Sequence, residues 1–437
     1  MSGAASRVRH FHYRGGEMFA ENVPLRAIAD AVGTPAYVYS RATLERHYRV
    51  FASGFADVPS LVAYSVKANS NLAVLRVLAR LGAGADVVSG GELARALRAG
   101  IPAHKIVFSG VGKTDAEMAR ALEAGIKVFN VESVAELRAL DRVARGMGRI
   151  APVAFRVNPD VAAGGHAKIS TGKAENKFGI PWATARDAYS EAARLGGIEV
   201  VGVDVHIGSQ IADLVPFEAA IRRVGGLIAE LRADGHAIRS FDLGGGLGIP
   251  YGDGSAPPPL PHDYAAMVKR LTAGMGVELI FEPGRMIAGN AGVLLARAVY
   301  VKAGGDIEEG GDGRERARTF LILDAAMNDL IRPALYGAFH EIEPVRETSE
   351  RAVYDVVGPV CETGDTFARA REMARVEAGE LVVFHTAGAY GAVQSGQYNT
   401  RPLAPEVLVD GERFHVIRRR PTVEEMLELE SVPEWVE

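Results

Sequence analysis

The sequence predicts an α/β protein, a (β/α)8 TIM barrel with an additional all-β C-terminal domain. Three observations predict it. Eight short runs rich in apolar and β-branched residues recur between Leu61 and Phe281. Stretches with helical apolar spacing separate most of them, the alternation of repeated βα units. Beyond Gly289 the helical stretches thin out, and strand-like runs divided by turns take over. The expected boundaries are 36–289 for the barrel and 1–35 plus 290–437 for the β-domain. A doubly wound open sheet is the competing arrangement.

The barrel strands are expected at Leu61–Val66, Ala85–Val88, Lys105–Phe108, Lys127–Val131, Pro152–Val157, Val200–Ile207, Ser240–Leu243 and Glu278–Phe281. Helices are expected over Gly91–Arg98, Ala116–Glu123, Ser133–Ala144, Ala183–Arg194 and Pro216–Ala233, where Ala, Leu, Arg and Glu recur with helical periodicity. The fifth interval is long. It holds the run His166–Gly172 and then Asn176-Lys177-Phe178-Gly179, the kind of extended βα loop that belongs to a functional face. In the β-domain, strands are expected at Gly292–Val301, Thr319–Asp324, Ala352–Val357, Glu380–Thr386 and Glu406–Val409. The Gly304–Gly313 segment reads as an exposed hairpin tip or mobile loop.

Composition narrows the function. The chain has 437 residues, 48% hydrophobic and 24% charged, with a net charge of -5, which leaves no basic footprint for nucleic acid or an anionic membrane. The single cysteine excludes an internal disulfide and fits a reducing compartment. No signal-peptide core or membrane-length apolar run is present, so a cytoplasmic enzyme is expected.

Lys67 is the most telling residue. It follows the strand pattern Leu61–Val66 and precedes a Leu/Ala-rich helical pattern, where a buried strand meets its βα loop. A lysine so placed suits Schiff-base chemistry with an aldehyde. Other polar groups stand at strand ends, where a barrel gathers its active site: Asp86, Arg156, His206 with Ser209, the run Gly244-Gly245-Gly246, and Glu282 with Arg285. Each has a plainer reading: a solvated loop lysine, a helix-capping aspartate, a core histidine, a tight turn. Their joint placement outweighs these.

The glycine run follows the seventh strand, and bare N–H groups there suit a phosphate. It departs from G-x-G-x-x-G at Ile249, so a dinucleotide fold is not supported. Gly110-Val111-Gly112-Lys113-Thr114 looks like the end of a P-loop, but Val107 occupies the first glycine position. In Glu282-Pro283-Gly284-Arg285, a carboxylate held at the barrel mouth could keep a pyridine nitrogen protonated and make the ring an electron sink. Lysine, phosphate cup and carboxylate together describe a pyridoxal phosphate site. No C-x-x-C or H-E-x-x-H motif occurs, and no metal centre is expected. In the β-domain, Arg332–Tyr336, Gly358–Asp365 and Gly388–Gly391 concentrate functional side chains in turn-like sequence, and Cys361 lies among acidic and glycine residues as a candidate reactive thiol.

These residues resemble the fold-type III pyridoxal phosphate-dependent decarboxylases, and within them the members acting on diaminopimelate. The motifs that carry the likeness are Tyr64-Ser65-Val66-Lys67-Ala68-Asn69, His206-Ile207-Gly208-Ser209-Gln210, Gly244–Gly246, Glu282–Arg285 and Cys361-Glu362-Thr363-Gly364-Asp365. The likeness runs from Gly33 to Pro402. It implies a homodimer with active sites shared between subunits and pyridoxal 5'-phosphate held as a Schiff base on Lys67. His206 would stack on the ring, and Glu282 would face its nitrogen. Gly244, Gly245, Gly246, Ser209 and the backbone at Gly284 would bind phosphate, with Asp86 also near the cofactor and Tyr390 near both cofactor and substrate. Arg285, Arg332 and Tyr336 would grip a distal carboxylate, and Glu362 a distal ammonium. Cys361 of the partner subunit would return a proton to the substrate. The implied reaction is decarboxylation of meso-2,6-diaminopimelate to L-lysine, the final step of lysine biosynthesis. Alanine racemases share the barrel but set an arginine against the ring nitrogen. Ornithine decarboxylases follow the cysteine with aspartate, where this chain has Glu362. A catalytically silent homologue would be expected to lack the lysine or the cysteine, and both are present.

Overall fold

The structure is a computed structural model that describes residues 10–161, 177–309 and 315–436. The His166–Gly172 run and the Gly310–Gly313 part of the expected hairpin tip lie outside the described residues. The chain divides into two compact units. One comprises Leu44–Pro250 and Ser255–Ala288; the other draws on Met1–Thr43, Tyr251–Gly254 and Gly289–Glu437.

The first unit is a closed parallel barrel. Its strands are β1 (Ser60–Ser65), β2 (Gly84–Val87), β3 (Ile106–Phe108) and β4 (Val128–Val131). They continue as β5 (Ala151–Asn158), β6 (Ile198–Asp204), β7 (Ser240–Asp242) and β8 (Glu278–Phe281). Each pairs in parallel with the next, and β8 pairs with β1 to close the ring. Sequence reading places all eight within a few residues. The largest difference is β6, which ends at Asp204 and leaves His206 in the following loop.

Helices fill the crossovers, and their starts are chemically marked. Ser89 caps Gly90–Arg98 and Ser133 caps Val134–Gly146, each accepting from a backbone N–H of the first turn, while Thr114 and Glu117 form a reciprocal capping box on Asp115–Ala124. The P-loop look-alike is therefore a helix entry: Lys113 is buried against Glu136 at 2.7 Å, and Thr114 is the cap.

Alternation along the strands explains the barrel interior. Leu61, Ala63, Val107, Val128, Ala154 and Ile280 form one apolar cluster inside the ring. Side chains two residues apart share a face of a strand. The next positions on those same faces are Ser65, Ser109, Asn130, Arg156 and Glu282, all buried. The barrel thus carries an apolar plug with a polar layer above it, at the C-terminal ends of the strands.

The second unit is built on the long strand Gly292–Glu309. It pairs antiparallel with Glu315–Leu323, Leu381–Phe384 and Ala36–Ser40, and the last of these also pairs in parallel with Glu406–Asp410. Ala36–Ser40 falls within the 36–289 span read as barrel, but both of its strand pairings are made in this sheet. All five of its residues are buried, so its sequence shows no alternation to tell one sheet from the other. Phe11, Met18 and Val38 pack with Val293, Leu295 and Val383 in the core of this unit. Thr366–Ala374 and Arg413–Arg418 are the outer strands of its main path.

Candidate active site

Lys67 sits in a short 3-10 turn, Val66–Ala68, directly after β1. Its Nζ donates to Asp86 Oδ2 at 2.7 Å, and Ser65 Oγ donates to the same oxygen at 2.7 Å. Register places them together, since Ser65 lies opposite Asp86 between β1 and β2. Asp86 is fully buried and its other oxygen has no hydrogen-bond partner among the described residues, whereas the Lys67 side chain is 34% exposed. An incoming reagent can therefore reach the amine while the carboxylate beside it is sealed in.

Glu282 follows β8, and Oε1 accepts from Ser109 Oγ at 3.2 Å and from Asn130 Nδ2 at 3.4 Å. Asn130 Nδ2 also lies 3.3 Å from Asp242 Oδ2. Carboxylate oxygens of Asp204, Asp242 and Glu282 come within 4.8 Å of one another, all buried. Burial pushes the Glu282 carboxyl well above the usual carboxylate range, and Asp242 and Asp86 push it further, against Lys67 and Arg156. Asp242 is likewise raised by burial and then by Asp204. This corner of the barrel retains protons that water would remove.

The glycine run after β7 is shaped by what surrounds it. A Cβ on Gly244 would lie 2.6 Å from the Val205 carbonyl oxygen, one on Gly245 2.3 Å from that of Glu282, and one on Gly246 2.4 Å from that of Gly208. Gly244 and Gly246 also have φ of 63° and 108°, in the left-handed region. The Gly244 N–H donates to Asp242 Oδ1 at 2.9 Å, and the Gly245 N–H to His206 Nδ1 at 3.1 Å. Burial, then Arg156 and Lys67, lower the His206 imidazole well below its ordinary value, so it is neutral and its Nδ1 is free of a proton, as that hydrogen bond requires. Gly284 is needed for a different contact: a Cβ there would meet Ser65 and Ala68 Cβ at 2.8 and 2.9 Å. Arg285, buried at the start of the turn Arg285–Ala288, donates to Ser209 Oγ at 3.0 Å. The barrel residues singled out in the sequence are thus brought together: Lys67, Asp86, His206, Ser209, Gly244–Gly246, Glu282, Gly284 and Arg285. Arg156 is one step out, paired with Glu132 at 3.3 Å, and Glu132 also accepts from the Gly179 N–H at 3.0 Å.

Within the sheet-rich unit the remaining candidates occupy three places. Cys361 is exposed, with Asn399 Nδ2 at 3.2 Å from its sulfur. Glu362 is exposed beside it and hydrogen-bonds the Tyr398 hydroxyl, which raises that phenol. Asp365 staples this loop by accepting from the N–H groups of Val360 and Met327 at 2.7 and 2.6 Å. Arg332 opens the short helix Arg332–Tyr336 and is buried; the Tyr336 hydroxyl accepts from Gln394 at 3.3 Å. Tyr390 is half-buried at φ 56° in the turn beyond Leu381–Phe384.

Sequence reasoning missed Ser65, Ser109, Asn130, Asp204 and Glu132 in the barrel, and Tyr398 with Asn399 beside the cysteine. The barrel set had a signal: Ser65, Ser109 and Asn130 each stand two residues past an apolar inward residue of the same strand. The pair beside Cys361 had none, being nearly forty positions away in sequence.

Residues 41–289 match the family described as pyridoxal-dependent decarboxylase, pyridoxal binding domain. The chain is 53% identical to diaminopimelate decarboxylase of Pseudomonas fluorescens over 97% of this chain and 99% of that one. The crystal structure of diaminopimelate decarboxylase from Helicobacter pylori complexed with L-lysine is 37% identical, covering 93% of this chain and 98% of its own, with a TM-score of 0.87. The enzyme from M. jannaschii in co-complex with L-lysine is 36% identical, covering 97% and 98%, with a TM-score of 0.89. The cofactor of this family, pyridoxal 5'-phosphate, fits the barrel mouth. It has a reachable amine at Lys67, a buried carboxyl with hydrogen-bond support at Glu282, and a turn kept free of Cβ atoms at Gly244–Gly246. Sequence and fold agree across nearly the whole length, in both units, and the chain therefore belongs to the diaminopimelate decarboxylases, within the pyridoxal-dependent decarboxylase family.

Proposed function

We propose that this enzyme removes one carboxyl group of meso-2,6-diaminopimelate as carbon dioxide and releases L-lysine, acting as a cytoplasmic homodimer. The observation that carries the reading is the barrel mouth itself, where Lys67 and Glu282 are linked through Ser65 and Asp86. Ser65 Oγ touches both the Asp86 carboxylate and the Glu282 carbonyl, at 2.7 and 3.1 Å.

Bound pyridoxal 5'-phosphate supplies an electron sink that accepts the electron pair left when the carboxylate departs. The chain's residues set the conditions. Lys67 presents the amine, and Asp86 holds its Nζ in place through a hydrogen bond at 2.7 Å. Glu282, supported by Ser109 and Asn130, offers a carboxyl partner to the ring nitrogen. His206, neutral and tied to the glycine turn, gives a flat face without competing charge. The Gly246 N–H and Ser209 with Arg285 take the phosphate, while the Gly244 and Gly245 N–H groups hold the turn against Asp242 and His206. In the sheet-rich unit, Arg332 and Tyr336 take the distal carboxylate of the substrate, and Glu362 its distal ammonium. Cys361, on the partner subunit, delivers a proton to the carbon that lost carbon dioxide. Its exposure in the single chain suits a role completed by a second copy.

The test is carbon dioxide release from meso-diaminopimelate, L-ornithine, L-arginine and L-lysine measured side by side on purified enzyme with cofactor. Diaminopimelate should be preferred. Equal or faster release from ornithine would refute the substrate assignment.

A further inference from the structure

Arg332 and His340 are both buried, eight residues apart, in the sheet-rich unit. We propose that His340 is a positioning residue, a neutral acceptor that aims the Arg332 guanidinium at the distal carboxylate of the substrate. The inference rests on the reading of Arg332 as the carboxylate clamp.

Arg332 Nη1 lies 2.9 Å from His340 Nε2. A guanidinium can only donate, so Nε2 must be the acceptor and carry no proton. The other ring nitrogen, Nδ1, lies 2.9 Å from the His385 carbonyl oxygen, which can only accept. Nδ1 therefore bears the hydrogen. Both neighbours require the same form, a neutral imidazole protonated at Nδ1. The carbonyl that fixes it is itself held by the sheet: the His385 N–H donates to the Glu341 carbonyl at 2.9 Å, where Ile342–Pro344 pairs with Leu381–Phe384. Tyr251 completes the setting. Its ring lies 4.8 Å below the Arg332 guanidinium carbon and packs edge-on against His340 at 5.6 Å and 87°.

A neutral acceptor does something a carboxylate would not. It occupies one donor of the fork and fixes the guanidinium plane without cancelling its positive charge. His340 therefore does not compete with an anionic group for that charge, in a buried setting where the attraction is strong. The aromatic face beneath adds a second restraint on orientation and also leaves the charge intact.

The experiment uses the full-length enzyme with its cofactor and measures binding of L-lysine and of 1,5-diaminopentane by calorimetry. L-Lysine keeps the carboxylate and ammonium of the unreacted end of the substrate, and the diamine lacks that carboxylate. His340→Gln keeps an acceptor near the Nε2 position; His340→Asn keeps a donor near Nδ1 and loses that acceptor. His340→Asn should weaken lysine binding by about tenfold or more while changing diamine binding by about twofold or less. His340→Gln should bind lysine within about threefold of the parent enzyme. Arg332→Ala is the control for the underlying reading and should erase the preference for lysine over the diamine. If Arg332→Ala retains that preference, the clamp assignment falls. If Arg332→Ala erases it while His340→Asn leaves lysine binding unchanged, or weakens both ligands equally, the role of His340 falls. Thermal unfolding of each variant identifies a general loss of structure. His340→Gln weakening lysine as much as His340→Asn also overturns the proposal, since the acceptor would then not matter.

Discussion

Replacing Asp204 with asparagine should stabilise the cofactor-free protein, and by a margin that widens as the pH rises. Oxygens of Asp204, Asp242 and Glu282 lie within 4.8 Å of one another in a buried corner. Two unit charges at that separation repel by about 3.5 kcal/mol at an effective dielectric constant of about 20, so ionising the last of three adds about 7 kcal/mol. Keeping a proton on an ordinary aspartate at pH 7 costs only about 4 kcal/mol. Repulsion wins, and at least one proton stays. Asp204 is raised by burial first and by Glu282 next, with Arg156 opposing, and its Oδ1 has no hydrogen-bond partner among the described residues. The sign follows from the raised folded value. Above the unfolded value of about 4, the folded chain binds more protons than the unfolded one, so stability falls with rising pH by up to about 1.4 kcal/mol per unit for each such group. That loss ends once the pH passes the folded value. An amide has the same shape and no charge to suppress, so its advantage over the parent should grow between pH 5 and 8, by up to about 4 kcal/mol. Guanidinium unfolding of cofactor-free protein across that range measures it. A difference that is flat or shrinks with pH would refute the reasoning that these carboxyls share retained protons.

Other outcomes follow from the same geometry. Lys67→Ala should abolish turnover and the visible absorbance of covalently held cofactor without unfolding the barrel; borohydride labelling of a different lysine peptide in that variant would count against the assignment. Cys361→Ala should slow product formation by about 10²–10⁴, the range of proton-transfer catalysis, and mixing it with Lys67→Ala subunits should recover part of the activity if sites are shared. Lack of recovery despite demonstrated subunit exchange would contradict a shared site. Gly245→Ala places a Cβ 2.3 Å from the Glu282 carbonyl oxygen, so cofactor should dissociate more readily, read as faster loss of absorbance on dialysis. Retention equal to that of the parent would show that the turn can move without consequence.

The sequence made the barrel legible because its strands are short apolar runs between helical stretches, and a parallel barrel needs that alternation. Lys67 and Glu282 stood out because charged residues rarely follow such runs. Asn130 and Ser109 did not, since strand alternation marks them only as inward-facing, and their partner Glu282 is set against them only when the ring closes. Ala36–Ser40 was missed as a strand of the second unit for a related reason. It is buried on both faces, and only its partners Gly292–Leu295 and Glu406–Val409 reveal which sheet it joins. The helix Leu25–Val32 went unassigned although its apolar face is clear, because it opens on Pro24 without a side-chain cap. His340 was invisible for a third reason: its role depends on the direction of two hydrogen bonds, and sequence carries no hydrogen-bond direction.

The most direct test of the central claim is the product balance from meso-diaminopimelate in heavy water. Purified enzyme with cofactor should release one carbon dioxide for each L-lysine formed, with one deuteron at the carbon that lost its carboxyl group, and Lys67→Ala should form neither. Carbon dioxide without matching lysine, or lysine formed by the Lys67→Ala variant, would contradict the account.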